Sequence, residues 1–239
     1  MKIAILGYGK MGKAIEKIAL DRGHEITMKI HRNNQDELNV ENLKNADVVI
    51  DFSIPDSAKG NILMAIEAKT PIVSGTTGWL DDYNEVAKLC LAQGSAFLYA
   101  SNFSLGVNLY FELNKSLAKL MNGHDQYQID MTEIHHTQKL DAPSGTAISL
   151  AEQITDENNI KNKWTLNEQA TSEEIKIDAL REGKVPGTHI VNYSSEIDTI
   201  TIKHEAHSRE GFAFGAVIAA EWIQNKQGVF SMHDVLFSK

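Results

Sequence analysis

The feature that most constrains the fold is a glycine-rich turn that directly follows an apolar run at the N-terminus. Residues 2–6 predict a buried strand, the turn Gly-Tyr-Gly-Lys-Met-Gly occupies 7–12, and apolar residues then recur with a helical period up to residue 19. In such a G-x-G-x-x-G turn the glycines permit a tight bend, close approach of a pyrophosphate and packing of helix on strand. This setting predicts a dinucleotide site, although a plain glycine turn has the same spacing. The residues predicted to contact the nucleotide here are Gly7, Tyr8, Gly9, Lys10, Met11 and Gly12.

Strands and helices alternate through the first hundred residues. The pattern predicts strands at 25–30, 47–52, 71–73 and 96–100, and helices at 56–69 and 81–93. This alternation is typical of an α/β fold with a parallel, doubly wound, Rossmann-like sheet. The loops at 74–79 and 101–104 each follow a strand, so they lie at the carboxyl edge where open α/β sheets bind ligands.

The end of the second predicted strand bears on the choice of nucleotide. An NAD-specific unit usually has an acidic residue there for the ribose hydroxyls, but neither Asp nor Glu occurs between Ile26 and Gln35. Arg32 could meet a 2′-phosphate instead. We therefore expect both NADPH and NADH to serve as cofactors, with NADPH bound more tightly.

A different rhythm begins after Ser104 and predicts a second, α+β domain. Residues 106–122 form one long helical pattern, with an approximate apolar stripe at Val107, Tyr110, Phe111, Leu113, Leu117 and Leu120. A strand at 127–134 and a helix at 146–157 follow, and then β-runs at 175–181, 189–195 and 199–205, the last two joined by a tight turn. Strands without intervening helices predict a separate antiparallel or mixed sheet that is open at its edges.

Residues 133–147, Glu-Ile-His-His-Thr-Gln-Lys-Leu-Asp-Ala-Pro-Ser-Gly-Thr-Ala, carry the densest chemistry of the chain. His135, His136 and Lys139 can protonate a substrate or bind an anion. Ser144 or Thr146 is a suitable cap for the helix that follows. The first amides of that helix, at Gly145 and Thr146, have no helical partner and could bind a carboxylate.

Simpler interpretations of this segment remain open. Adjacent histidines on a strand point to opposite faces, so one is commonly packed and the other solvated. Pro-Ser-Gly-Thr is most often a turn with a helix cap. A zinc site is disfavoured because neither His-x3-His nor Cys-x2-Cys spacing accompanies the pair, and we expect no metal.

The string E-x-H-H-x-x-K-x-D-A-P-S-G-T-A resembles the signature of the dihydrodipicolinate reductase family, pyridine-nucleotide enzymes of lysine and diaminopimelate biosynthesis. The resemblance implies NAD(P)H-dependent reduction of 4-hydroxy-tetrahydrodipicolinate to tetrahydrodipicolinate. It also implies that His135 is the catalytic acid, that Lys139 is its catalytic partner, and that His136, Gly145 and Thr146 bind the substrate carboxylates.

The resemblance extends over nearly the whole chain and is weakest at 155–185. The loops G-T-T-G and A-x-N-F-S resemble the loops that line the nicotinamide in this family. The residues that this places near the reactive ring are Gly75, Thr76, Thr77, Tyr99, Ala100, Ser101 and Asn102. Residues 1–102 would then bind nucleotide, 103–209 would bind substrate and form oligomers, and 210–239 would return to the first domain. Arg209 lies in a further matching segment, where it could be a surface charge or a carboxylate partner.

Composition limits the possible partners. The chain has 239 residues and a net charge of −9 without a basic block, which argues against nucleic acid or an anionic membrane as partner. A single cysteine, Cys90, excludes an intrachain disulfide and lies in a helical pattern typical of a packed thiol. Neither a signal peptide nor a long apolar span is evident, so we expect a cytoplasmic protein with a small dicarboxylate substrate.

Two other functions fit parts of the sequence. A non-catalytic nucleotide sensor would need the first domain, but its docking surface would not require residues 133–147. An amino-acid or aldehyde dehydrogenase would use the same nucleotide fold, although the chain offers no plausible thiol nucleophile for the aldehyde chemistry. The family resemblance and an open second sheet together predict a homotetramer.

Overall fold

The computed structural model describes residues 1–166, 168–208 and 210–238; Arg209, for which a carboxylate-binding role was considered, lies outside them. The strands are β1 (Lys2–Leu6), β2 (Glu25–Ile30), β3 (Val48–Asp51), β4 (Ile72–Ser74), β5 (Ala96–Tyr99), β6 (Gln128–His135), β7 (Lys163–Thr165), β8 (Glu174–Arg181), β9 (Gly187–Ser194), β10 (Thr199–Ala206) and β11 (Gly228–Phe230). The helices are α1 (Lys10–Asp21), α2 (Val40–Leu43), α3 (Pro55–Glu67), α4 (Tyr83–Ala92), α5 (Leu105–Met121), α6 (Gly145–Glu157), α7 (Glu210–Ile223) and α8 (Met232–Phe237). The described residues divide into a first unit, 1–105 with 210–238, and a second unit, 106–208.

The first unit is built on a six-stranded sheet in the order β11-β5-β4-β3-β1-β2, in which every pair is parallel. Because β1 pairs with β2 on one side and β3 on the other, the strand order reverses at β1. Ligands of open α/β sheets bind at such a reversal, outside the carboxyl ends of the strands. The predicted parallel, doubly wound sheet is confirmed, and the glycine-rich turn lies at its reversal point.

Continuous apolar strands give this sheet two buried faces. Ile3 and Ile5 of β1 pack in one cluster with α1 and α7, while Ala4 and Leu6 pack in the other with α3 and α4. Successive strand residues point to opposite faces, so both sets are removed from water. Cys90 of α4 is buried in the second cluster, and burial raises the pKa of its thiol to about 11, as expected of a packed cysteine.

The second unit is built on a mixed sheet in the order β10-β9-β6-β8-β7. The central strand β6 pairs parallel with β8 and antiparallel with β9, and β9 and β10 form the predicted hairpin. Alternate residues of β6, β8 and β9 pack with α5 and α6 in one apolar cluster. The mixed sheet predicted for this part of the chain is confirmed.

The predicted stripe on α5 is partly wrong. Leu113 and Leu120 are 52% and 72% exposed, whereas the buried residues of this helix are Val107, Tyr110, Asn114, Ala118 and Met121. At 3.6 residues per turn the two leucines lie about a third of a turn from the centre of the buried face. The helix buries an asparagine there because Asn114 donates to the Leu150 carbonyl and the Gln153 side chain, each at 3.0 Å.

Short elements also depart from the sequence prediction. Strands β7 and β11 have three residues each, too few to show a period, and α7 begins at Glu210 rather than at 214. None of the helices in the described ranges combines the length and the apolar composition that a membrane crossing requires.

Candidate active site

The glycine-rich turn after β1 has separate steric reasons for its three glycines. A Cβ built on Gly7, at φ +86°, would lie 2.1 Å from the Phe52 carbonyl oxygen, and one on Gly12 would lie 2.6 Å from the Gly7 carbonyl oxygen. Both glycines therefore permit backbone packing within the protein. A Cβ on Gly9 would meet nothing within 4 Å, so this position faces open space. That is the arrangement in which a pyrophosphate can approach the backbone closely.

The other residues of this turn leave the helix N-terminus available. Helix α1 begins at Lys10 without a side-chain cap and without an acidic residue in its first turn. Lys10 is exposed and Met11 half-buried. The Tyr8 hydroxyl donates to Glu16, whose carboxylate also accepts from Lys29 at 3.0 Å. The first amides of α1 can therefore bind an anion.

The first predicted nicotinamide loop, at 74–79, is held by a buried carboxylate at the end of β3. Asp51 is fully buried and accepts from Ser74 Oγ at 2.9 Å and from Thr76 Oγ1 at 2.8 Å, while Asn61 donates to its other oxygen at 2.9 Å. Burial raises the pKa of Asp51, and these hydrogen bonds oppose the rise. Because the Thr76 hydroxyl donates to Asp51, Thr76 fixes the loop at 74–79 to the buried end of β3.

The remaining loop residues have different degrees of exposure. Gly75 packs against Phe52, where a Cβ would lie 2.4 Å from the ring, whereas Thr77 is exposed. After β5, Tyr99, Ala100 and Asn102 are half-buried and Ser101 is exposed. Strand β5 pairs with β4, so the two loops are neighbours at the carboxyl edge of the first sheet.

In the second unit, strand β6 delivers His135 at its end together with a buried carboxylate. Glu133 and His135 lie two residues apart, so both side chains point to the buried face of the strand, at 0% and 8% exposure. Glu133 Oε2 contacts His135 Nδ1 directly, and within the described residues neither atom has a hydrogen bond to another group. Glu133 therefore engages one nitrogen of the imidazole.

The second oxygen of Glu133 holds two other elements. Oε1 accepts from Arg181 Nη2 on β8 at 2.9 Å and from the Ser144 amide at 3.2 Å. Burial alone would raise the pKa of Glu133, but hydrogen bonds from His135 and Arg181 outweigh it and lower that pKa to about 2. The carboxylate is therefore ionised.

Ser144 caps helix α6 and reaches a second buried histidine. Its hydroxyl accepts from the Ala147 amide at 3.2 Å and lies 3.0 Å from His189 Nε2 on β9. Burial, with a smaller effect of His135, lowers the pKa of His189 to about 3. His189 is therefore uncharged, with its ring 5.1 Å from that of His135 in an edge-on arrangement.

The capping by Ser144 resolves the alternative between Ser144 and Thr146. It also uses the Ala147 amide, so the two amides before it, at Gly145 and Thr146, remain for a ligand. A Cβ on Gly145 would meet nothing within 4 Å. The described residues therefore leave open space where the sequence predicted a bound carboxylate.

Lys139 and His136 lie in the loop between β6 and α6. Lys139 Nζ donates to both carboxylate oxygens of Asp141, at 2.8 and 2.7 Å, and this lowers the pKa of Asp141. His136 is half-buried and lines an open cavity of about 500 Å³ with Thr137, Gln138, Gly183, Lys184 and Pro186. The ammonium is thus close to the site but paired with a carboxylate.

One cluster has the residue types of a metal site. Glu133, His135 and His189 each offer a ligand atom, and these atoms lie within 4.8 Å of one another. However, Arg181 donates to the same carboxylate, so an ion bound there would stand beside a guanidinium. The donor set fits hydrogen bonding better than metal binding, and we assign no ion to it.

Glu133, Arg181, His189 and Asp51 are not among the site residues predicted from the sequence. A signal existed for Glu133, because it occupies an apolar-alternation position of β6 two residues before His135. Arg181 and His189 are 48 and 45 residues from their partners, and only strand pairing brings them together.

Comparisons with known proteins identify the family. A profile described as the N-terminus of dihydrodipicolinate reductase matches residues 1–103, and one described as its C-terminus matches residues 106–236. The chain belongs to the dihydrodipicolinate reductase family. The family and the oxidoreductase class predicted from the sequence are thus confirmed, as is the use of a nicotinamide nucleotide.

Relatives match this reductase along its whole length. A 4-hydroxy-tetrahydrodipicolinate reductase from Christiangramia forsetii is 52% identical over 238 residues, 99% of this chain and 98% of the relative. The enzyme of that name from Rickettsia bellii is 40% identical, covering 95% of this chain and 90% of its own. A dipicolinate-bound dihydrodipicolinate reductase from a Paenisporosarcina species has the same fold, with a TM-score of 0.79, 21% identity and 99% of both chains covered.

The glycine-rich turn of this reductase yields a paired prediction. Gly9→Ala should melt at the parent's temperature but bind NADPH at least about 10-fold more weakly, because the new methyl group occupies the space left for a pyrophosphate. Gly7→Ala should lose about 1–3 kcal/mol of folding stability through its clash with Phe52. Thermal melts and fluorescence titration with NADPH measure both effects. Unchanged affinity in Gly9→Ala would show that the nucleotide does not approach this residue.

Proposed function

We propose that this enzyme reduces 4-hydroxy-tetrahydrodipicolinate to tetrahydrodipicolinate with NAD(P)H, in lysine and diaminopimelate biosynthesis. Residues 1–102 would bind the nucleotide and residues 103–209 the dicarboxylate. The observation that carries the proposal is the arrangement around Glu133, which contacts His135 and the N-cap of α6 at once. Glu133 therefore links the proposed proton donor, His135, to the start of α6, where the Gly145 and Thr146 amides have no helical partner.

This arrangement suits the chemistry of the reaction. When bound, the nicotinamide would supply a hydride. The 4-hydroxyl group of the substrate leaves as water to give a conjugated imine, and addition of the hydride to that imine leaves an electron-rich enamine carbon that needs a proton. Imidazole is the side chain whose charge changes near neutrality, so His135 is a suitable donor. Lys139 lies four residues further on and can stabilise the developing charge if it exchanges Asp141 for the substrate.

The carboxylates of the substrate have matching groups. The amides of Gly145 and Thr146 stand at the positive end of a 13-residue helix whose first turn has no acidic residue. His136, in the loop that precedes α6, lines an open cavity of about 500 Å³. These groups would orient the ring so that its reacting carbon faces His135.

The function is tested by following NADPH oxidation with freshly generated product of dihydrodipicolinate synthase. His135→Gln and Lys139→Ala should each lower kcat by about 10²-fold to 10⁴-fold, because each removes a group that acts on the reacting atoms. Nucleotide affinity should change little in both variants, since the glycine-rich turn is untouched. Turnover within a few-fold of the parent in both would refute their catalytic roles, and absence of oxidation by the parent would refute the reaction.

We further propose that both nucleotides are used and that Arg32 favours NADPH. Arg32 is exposed and has no hydrogen bond or ion pair to any described residue. The other cation near the end of β2, Lys29, is already paired with Glu16 at 3.0 Å. Asn34 orders the loop that carries Arg32, by accepting from the His31 amide at 2.8 Å and donating to the Lys29 carbonyl at 3.0 Å.

Arg32→Ala should therefore weaken NADPH binding and nearly spare NADH. A charge-assisted contact to the 2′-phosphate contributes about 1.5–3 kcal/mol, or roughly one to two decades in affinity, and solvent exposure reduces this. Lys88→Ala, which removes an exposed cation from α4, is the matched control. Titration of both nucleotides into the three proteins decides the matter: an unchanged NADPH to NADH affinity ratio in Arg32→Ala would exclude a phosphate contact.

A homotetramer assembled through the second sheet is the third part of the proposal. Within the described residues, α5 and α6 pack on one face of this sheet, while Ile134, Ile190 and Leu180 lie half-buried or exposed on the other. Strand β10 also leaves an eight-residue edge. An open face and edge of this kind are commonly covered by another chain.

Light scattering at micromolar concentration should give four times the 26.5 kDa chain mass. Ile190→Glu should lower that mass, because it places a charge on the open face. Leu120→Glu introduces the same charge at a residue of α5 that is 72% exposed, and should leave the assembly intact. A monomeric parent protein would exclude the proposal.

A further inference from the structure

The carboxylate of Glu133 is held by several partners in a way that directs one of its oxygens at His135. It is fully buried, and burying a charge is costly unless partners satisfy it. One oxygen is shared by Arg181 and the Ser144 amide, while the other is reserved for His135 Nδ1. Three separate elements, β6, β8 and the N-cap of α6, thus fix the carboxylate against a single imidazole nitrogen.

We propose that Glu133 is a positioning residue for catalysis, which orients His135 and selects its Nε2 atom as the proton donor. The proposal rests on the proposed role of His135 as the acid. A protonated imidazole carries a proton on each nitrogen. With Nδ1 held by a carboxylate, the proton that leaves is the one on Nε2, and the neutral ring keeps its Nδ1 proton toward Glu133.

The surroundings of Nε2 agree with this assignment. A Cβ built on Gly187 would lie 3.0 Å from His135 Nε2, so the glycine at the start of β9 keeps the space beside this nitrogen clear. The His135 side chain is 11% exposed, compared with 1% for Glu133. The nitrogen that faces away from the carboxylate is therefore the one with access to a ligand.

Other charged groups around His135 make the effect of Glu133 measurable. Arg181 on β8 and Lys139 in the following loop are cations, and Asp141 is paired with Lys139. The ring of His189 on β9 faces that of His135, and His204 on β10 pairs with His189; burial lowers the pKa of both, which favours their uncharged forms. Glu133 is thus the one anion in direct contact with the imidazole among the described residues, and it stabilises the protonated ring.

The sign of the pH effect follows from this contact. A reaction that needs a protonated donor loses kcat as the pH rises, and this gives the pH profile of kcat an alkaline limb. Replacing Glu133 removes the anion that contacts the imidazole, so this alkaline limb should move to lower pH. Removing the cation of Arg181 moves it the other way. A purely structural role for Glu133 predicts neither displacement.

The test compares pH profiles of kcat for the parent enzyme and four variants. Glu133→Gln should lower kcat by about 10-fold or more at neutral pH, with KM for the dicarboxylate and affinity for NADPH within about threefold, and with the alkaline limb at lower pH. Arg181→Gln should displace the limb to higher pH. Glu152→Gln removes an exposed glutamate from α6 and should match the parent.

The outcomes separate this inference from the proposed function. Should His135→Gln retain full turnover, the assignment of the acid itself is wrong. The positioning role is wrong if His135→Gln is inactive while Glu133→Gln keeps the parent's kcat. It is also wrong if Glu133→Gln lowers kcat equally at every pH and leaves the alkaline limb where it is in the parent. If Glu133→Gln does not fold, the profile of Arg181→Gln still decides, because an unmoved or lowered limb there contradicts the charge arrangement.

Discussion

The second unit depends on one buried carboxylate. Glu133 is ionised in the interior, with a pKa lowered to about 2, and its charge is acceptable only because His135, Arg181 and the Ser144 amide meet it together. Removing one partner would leave an uncompensated charge, which typically costs about 3–5 kcal/mol in a buried pair. The carboxylate therefore fixes the end of β6 relative to β8 and to the first turn of α6, and these are the elements that carry the candidate acid and the candidate anion site.

The first unit uses a similar device with a different electrostatic outcome. Asp51 is the last residue of β3 and Glu133 lies near the end of β6, and both are buried. Asp51 holds the loop that follows β4, and Glu133 holds the N-cap of α6. All the side chains that donate to Asp51 are neutral, so they offset burial only in part and its pKa is raised, whereas Glu133 has a guanidinium and an imidazole as partners. Asp51 thus organises its loop through hydrogen bonds, and Glu133 through charge as well.

Sequence periodicity was sufficient for the long elements and for the position of the glycine-rich turn after β1. The spacing of the motif reflects the geometry of a strand-turn-helix, but the structure was needed to show that Gly7 and Gly12 have close backbone neighbours while Gly9 has none. Arg181 and His189 could not be found in the same way, because the parallel pairing of β6 with β8 and its antiparallel pairing with β9 are not written in any local pattern. The burial predicted for Leu113 and Leu120 is wrong for a related reason. Their apolar character predicted burial, but the buried face of α5 contains Asn114, whose side chain is hydrogen-bonded to the Leu150 carbonyl.

The distribution of acidic residues over the helix starts links both units to anionic ligands. In a chain of net charge −9, α2, α3, α4, α7 and α8 each have an acidic residue in the first turn, which offsets the positive end of the helix dipole. Helices α1, α5 and α6 have none, and α1 begins with a lysine. Two of these three helices, α1 and α6, follow the glycine-rich turn and the His135 segment. Because their dipoles are not offset from within, their first amides remain available to a phosphate or a carboxylate supplied from solution. An acidic protein can bind two anions in this way, since the attraction comes from backbone groups at chosen helix ends and does not require a basic surface.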